Sequence, residues 1–247
     1  MKFKLAVFIF LALLTGPAAA VQVQSTTSVL LTFRQCVAGE TACDSISGMR
    51  LKSVGGLPGA PDAQASQEDA EYGTANANAN LADGNAQMNA NISSLPGARN
   101  GGNVFFLQRY ENTSEHEQKL TLDATLTFDQ TVPAENADFT DASGAQSVVN
   151  AELEIFTLSV DEVEAGTTAE DNHNVFQSGP PPEAVYASVA DAAASGPRNT
   201  TGQGGKSFSV SGRIPPGESV WIYGVLQALG ANGAVIKGRL ETRSIIE

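Results

Sequence analysis

The stretch Leu120-Thr-Leu-Asp-Ala-Thr-Leu-Thr-Phe-Asp129 places apolar and polar side chains at strictly alternating positions. Successive side chains of a β-strand point to opposite faces, so this pattern puts one face on a core and the other in water. At roughly 3.3 Å per residue the strand would be about 33 Å long, which implies a sizeable sheet. The stretch therefore predicts a β protein with a half-buried sheet.

Other segments predict further strands around this one. The aromatic and β-branched run Val104–Tyr110 precedes it, and the polar link 111–119 predicts a hairpin between the two. The run Val220–Leu229 is apolar at both parities, which favours a central strand covered on both faces, with a buried helix as the alternative. Further strands are predicted at Ser28–Gln35, Met49–Val54, Glu152–Val160, Ser207–Ile214 and Ala234–Glu241.

Many antiparallel strands with little helix predict a mainly β fold, an antiparallel β-sandwich of jelly-roll or immunoglobulin-like topology. A long low-complexity insertion is expected over about 55–102, because its Ala, Asn and Gly residues offer few large apolar groups to order it. A loop and helix region is expected over about 162–205. Within it, proline at the start of Pro181–Ala194 and alanine throughout predict one short helix. We expect 21–247 to form a single domain.

Residues 1–20 have the layout of a cleavable export signal. Lys2 and Lys4 precede an apolar stretch over 5–14, and small residues before Val21 predict cleavage after Ala20. The apolar stretch is about half the roughly 20 residues that cross a bilayer. We therefore expect a secreted or periplasmic protein with no membrane span after cleavage.

The charge of the chain limits its partners. It has 14 Lys and Arg against 27 Asp and Glu, a formal net charge of −13. Removing the signal takes away two lysines and no acid, which leaves 12 against 27, a charge of −15. Such a surface repels phosphate backbones and anionic lipids, so we expect no nucleic-acid partner.

The two cysteines, Cys36 and Cys43, predict a disulfide that closes an eight-residue loop in an exported chain. Neither His116 nor His173 has a partner at metal-ligand spacing, so both are interpreted as solvated surface residues. A hydrolase site assembled around one of them from distant positions is the alternative.

Motifs for catalysis are missing from the sequence, which has no G-x-S-x-G, S-x-x-K or H-E-x-x-H pattern. Thr200–Ser207 is similar to a phosphate-binding loop, but Thr200 stands where the first glycine is required, so a flexible loop before a strand at Ser207 is predicted. Asp138 and Asp141 are weak calcium candidates, since calcium takes oxygen ligands. We expect no catalytic residue and no other cofactor.

These observations favour a non-enzymatic structural, adhesive or assembly protein of the extracytoplasmic space. Cleavage would free an extended segment over 21–27, in which Val21 and Val23 alternate with polar residues and could add a strand to a neighbour's sheet. A homo-oligomer or a complex with other envelope proteins is the expected assembly. The alternative is a module that binds carbohydrate or calcium. Trp221 lies in the most apolar strand and is predicted to pack in the core.

Overall fold

The computed structural model describes residues 20–35, 44–56, 62–82, 84–132, 146–157, 185–196 and 202–247. In these ranges the regular elements are twelve β-strands. They are β1 (Ala20–Gln35), β2 (Asp44–Gly56), β3 (Asp62–Asp69), β4 (Gly73–Ala82), β5 (Asn85–Ser94), β6 (Ala98–Asn112), β7 (Gln118–Thr131), β8 (Gln146–Thr157), β9 (Val185–Gly196), β10 (Gly202–Ile214), β11 (Ser219–Ala231) and β12 (Val235–Ile246).

The strands form two six-stranded antiparallel sheets. Sheet 1 has the order β2-β1-β6-β11-β8-β9, and sheet 2 has the order β10-β7-β12-β5-β4-β3. The two sheets pack face to face: a Cβ placed on Gly102 of sheet 1 would lie 3.1 Å from Cδ1 of Ile92 in sheet 2. Likewise, a Cβ on Gly238 of sheet 2 would lie 2.9 Å from Cγ1 of Val149 in sheet 1. The predicted antiparallel β-sandwich is confirmed.

The alternation of apolar and polar residues in Leu120–Asp129 produces the predicted burial pattern. In β7, Leu122 and Leu126 are fully buried, whereas Asp123 and Thr125 are exposed on the outward face. The central strand β11 is different, because Val220–Tyr223 is buried at four successive positions. Its place in the middle of sheet 1 confirms the prediction of a central strand, but its outward face is covered only at Trp221 and Tyr223, because the outward positions from Val225 to Leu229 are half-buried.

The hairpin predicted between Val104–Tyr110 and Leu120–Asp129 is wrong. Strand β6 pairs with β1 and β11 in sheet 1, and β7 pairs with β10 and β12 in sheet 2. The buried Asn112 holds the crossing: its Nδ2 donates to the carbonyl oxygens of His116, at 2.8 Å, and Ile214, at 2.7 Å. These bonds stabilise a link that passes from one sheet to the other, so the polar residues between the strands are not a hairpin tip.

The insertion expected over about 55–102 is also wrong, since β3, β4, β5 and the start of β6 lie there. In β4 the alanines of the Ala/Asn alternation are buried and face sheet 1, while the asparagines point outward. Strand β4 packs on β1 and β6, and the larger side chain of Leu31 lies beside it: a Cβ placed on Gly102 would meet Cδ2 of Leu31 at 3.4 Å and Cβ of Ala77 at 3.7 Å. Small side chains suffice for a strand when the opposite sheet carries large ones.

The short helix expected within 162–205 is replaced by a strand. Residues Val185–Gly196 form β9, which pairs antiparallel with β8 along its length. The helix propensity of alanine is worth less than about 1 kcal/mol per residue, and backbone pairing with a neighbouring strand outweighs it here. The loop expected before Ser207 is likewise a strand, because β10 already begins at Gly202.

Candidate functional site: the amide face of sheet 2

The outward face of sheet 2 is polar across all six strands. Antiparallel register aligns its side chains into two neighbouring rows that run from β3 to β10. We call the two rows together the amide face. The first row consists of Ser66, Asn76, Asn91, Lys237, Asp129 and Gln203. The second row consists of Gln64, Asn78, Asn89, Arg239, Thr127 and Gly205.

An open depression of about 410 Å³ lies on the amide face, toward the β10 edge of sheet 2. Asn89 and Asn91 line it from β5, and Thr127 and Asp129 line it from β7. The side chains of β12 that lie between these strands are cationic, and Gln203 lines the depression from the edge strand β10. The depression therefore offers amide, hydroxyl and charged groups to a ligand within a small area.

The charges at the depression balance. Lys237 lies directly opposite Asp129 in the β12–β7 register. Arg239 forms an ion pair with Glu241, two residues along β12. The remaining side chains that line the depression are amides, a hydroxyl and Phe128, and the amides and the hydroxyl can donate and accept hydrogen bonds. In a chain with a net charge of −13, this patch suits a neutral ligand that is rich in hydroxyl groups.

A second cluster lies on the outward face of sheet 1. Leu107, Phe156, Trp221 and Tyr223 pack there and are at most 4% exposed. The rings of Phe105 and Tyr223 stack with centroids 6.2 Å apart. Trp221 is buried as predicted, although it packs on the side of the sheet that points away from the main core.

A pair of carboxyl groups, Glu152 and Glu154, adjoins this aromatic cluster on β8. Burial, then the charge of Glu152 and a hydrogen bond between the two side chains, raises the pKa of Glu154 to about 7. Burial and then the charges of Glu154 and Glu152 raise the pKa of Tyr223. A retaining glycosidase keeps its two carboxyl groups roughly 5 Å apart with the sugar between them. A hydrogen-bonded pair leaves no such room, so it can share a proton but does not have this catalytic geometry.

Sequence reasoning missed both features. The amide face was missed because its residues come from six strands whose order the sequence does not reveal. The acid pair carries one local signal: Glu152, Glu154 and Phe156 share the outward parity of one strand. Two carboxyl groups and a buried aromatic ring on one face predict a raised pKa once the strand is known to be covered.

The structure pairs the predicted assembly segment within its own chain. Val21 lies opposite Glu111 in the β1–β6 ladder, and Val23 falls at a register shift between Gln22 and Gln24. The segment thus has a partner strand in its own sheet, and its role in assembly stays a prediction. Residues 1–19, the cysteines Cys36 and Cys43, the calcium candidates Asp138 and Asp141, and His173 lie outside the described residues.

His116 is exposed on the link between β6 and β7, and its carbonyl oxygen accepts hydrogen bonds from Asn112 and Ser114. In the part of the chain that the structure describes, no three His, Cys, Asp or Glu residues group as ligands for a metal ion. The same part holds no helix with the length and apolarity needed to cross a membrane.

Comparisons with known proteins give weak likenesses. No protein-family model matches the chain, and no curated protein does. A structure of Broad Bean Stain Virus is similar at 7% identity and a TM-score of 0.26, over 96% of this chain and 93% of that one. A structure of carbohydrate-binding modules from the β-sandwich superfamily is similar at 7% identity and a TM-score of 0.19, over 89% and 84%. The fold assignment rests on the two sheets themselves.

Proposed function

We propose that this chain is an exported, non-enzymatic adhesive protein that binds carbohydrate through the amide face. The proposal is carried by one observation, a charge-balanced polar face that crosses all six strands of sheet 2 and holds an open depression. Sugar hydroxyls donate and accept hydrogen bonds, and the side-chain amides of Asn89 and Asn91 do both as well. The signal-like residues 1–20 support an extracytoplasmic location.

The balance of charge supports a neutral sugar. Lys237 and Arg239 are offset by Asp129 and Glu241, so the depression exerts little net attraction on an anion. The remainder of the chain is strongly acidic and repels anions at longer range. Binding of a neutral glycan should therefore change little with salt concentration, whereas binding to an anionic polymer would weaken as salt rises.

The lining of the depression supports binding without catalysis. Hydrolysis of a glycosidic bond commonly uses two carboxyl groups that flank the bond. Among the described residues that line the depression, Asp129 is the one carboxylate. We expect the protein to release every glycan it binds unchanged, with no new reducing ends after prolonged incubation.

A binding screen tests the proposal. The purified mature protein is mixed with insoluble polysaccharides and applied to an array of soluble glycans, alongside a double variant with Asn89→Ala and Asn91→Ala. Loss of two hydrogen bonds worth about 1 kcal/mol each should weaken binding about 10- to 100-fold. Asn103→Ala is the matched control, since Asn103 lies on the outward face of sheet 1. Retention of no glycan, or equal binding by the double variant and the wild type, would contradict the proposal.

A further inference from the structure

The amide face is wider than the depression that it contains. Strands in a sheet lie about 4.8 Å apart, so the five spacings from β3 to β10 span about 24 Å. The depression is lined by β5, β12, β7 and β10. The two rows continue beyond it onto β4 and β3, where Asn78 and Gln64 extend one row and Asn76 and Ser66 extend the other.

The part of the two rows that lies on β3 and β4 is polar, and its side chains are accessible to a ligand. Gln64, Ser66 and Asn76 are exposed, and Asn78 is half-buried. The hydroxyl of Ser66 donates to Oδ1 of Asn76, which fixes the orientation of that amide and leaves its NH₂ group as a donor. A ligand that occupies the depression can thus extend over β4 and β3 and meet further hydrogen-bonding groups.

The direction of the rows favours one orientation of a ligand on the sheet. Along β12 a ligand would pass over Lys237, Arg239, Glu241 and Arg243, all of them charged. Across the strands it would meet mostly amides and hydroxyls, at one position per strand. The depression is itself lined by four adjacent strands, so a neutral polymer that fills it meets fewer charged groups when it continues across the strands onto β4 and β3 than when it turns along β12.

We infer that the amide face binds an extended neutral polysaccharide that lies across the strands of sheet 2, with one end in the depression and the rest over β4 and β3. This inference rests on the proposed function and specifies the ligand as a polymer of several sugar units. Free monosaccharides would fill the depression alone and leave the amides of β3 and β4 without a contact.

A series of oligosaccharides of increasing length tests the inference. The series is prepared from the neutral polysaccharide that the wild-type protein retains best, and affinity is measured by calorimetry. Affinity should rise with each added sugar and level off once the chain covers the roughly 24 Å of the face. A double variant with Gln64→Ala and Asn78→Ala should bind the longest fragments about tenfold more weakly and the shortest ones like the wild type.

Two controls separate the possible outcomes. The Asn89→Ala and Asn91→Ala double variant should lose affinity for fragments of every length, and Asn103→Ala for none. Because Gln64 and Asn78 point outward, their double variant should keep the wild-type melting temperature. If the shortest fragment binds as tightly as the polymer, or if the Gln64 and Asn78 variant binds all lengths normally, the inference is overturned while the proposed function stands. If no glycan binds at all, the proposed function fails and the inference fails with it.

Discussion

Replacing Gly224 with alanine should destabilise the sandwich through a single contact. Gly224 of β11 lies opposite Phe106 of β6 in sheet 1. A Cβ at this position would lie 2.1 Å from Cε1 of Phe106 and 2.6 Å from Cζ. Phe106 is 1% exposed and packs in the main core. The aromatic ring therefore occupies the space over the glycine backbone and has little freedom to move away.

The size of the effect follows from this geometry. Carbon atoms pack at about 3.5 Å or more, so the ring must retreat by about 1.4 Å or the strands must separate. Forcing an extra methyl group into a packed core costs about 1–3 kcal/mol, and we expect the upper end here. Phe106→Ala alone should cost about 3–5 kcal/mol because it leaves a cavity. The methyl group of Gly224→Ala would fill part of that cavity, so the double variant should be more stable than the sum predicts by about 1–3 kcal/mol.

Urea unfolding of the four proteins in this cycle measures the effect. Gly202→Ala is the matched control, since a Cβ on Gly202 meets nothing within 4 Å. We expect the control to keep the wild-type midpoint and Gly224→Ala to lower it. Equal midpoints for Gly224→Ala and the wild type, or strictly additive losses in the double variant, would refute the packing argument.

Three further outcomes are expected. Asn112→Ala removes the amide that donates to the carbonyl oxygens of His116 and Ile214 and should cost about 2–4 kcal/mol in urea unfolding; a midpoint equal to that of Asn103→Ala would contradict this. Between pH 4.5 and 7 the folded protein keeps a proton on Glu154 that the unfolded chain loses, so its unfolding free energy should fall as pH rises, by about 1–3 kcal/mol. Glu154→Gln should reduce this dependence of the unfolding free energy on pH. An unchanged dependence would count against the raised pKa of Glu154. Deleting 21–27 removes the half of β1 that contains the buried Ser25 and Thr27, so thermal denaturation should show a lower melting temperature. An unchanged melting temperature would disprove this prediction.

The parts of the fold that the sequence predicts are those that depend on one strand at a time. The alternation of Leu120–Asp129 reveals a half-buried strand because each large side chain reports its own environment. The two-sided run Val220–Leu229 predicts a central strand for the same reason. The alternation of Leu120–Asp129 fits a strand alone, whereas the pattern of Val220–Leu229 also fits a buried helix.

The parts that were missed depend on what lies opposite. The alternating alanines of β4 suffice for a core strand only because β1 and β6 of sheet 1 pack on it with larger side chains such as that of Leu31. The alanines of Val185–Gly196 favour a helix in isolation and form a strand because β8 presents an edge to them. The pairing partners of β6 and β7 depend on the link held by Asn112, a contact between residues more than a hundred positions apart. The local sequence pattern of a strand does not show which strands it pairs with or packs against.

The Ala/Asn repeat of β4 links the core to the proposed site. Slipping the strand by one residue would turn asparagine into the core and alanine onto the amide face, so this error is strongly disfavoured. A slip by two residues would keep both faces unchanged, and the repeat itself does nothing to prevent it. The turns at the two ends of β4 fix the register that the repeat leaves open. Gly73 and Gly84 adopt φ values of +107° and +78°, and a Cβ on Gly73 would lie 2.3 Å from the carbonyl oxygen of Ser93. Because only glycine fits there, these turns set which asparagine faces β5, and so they determine the rows to which a ligand would bind.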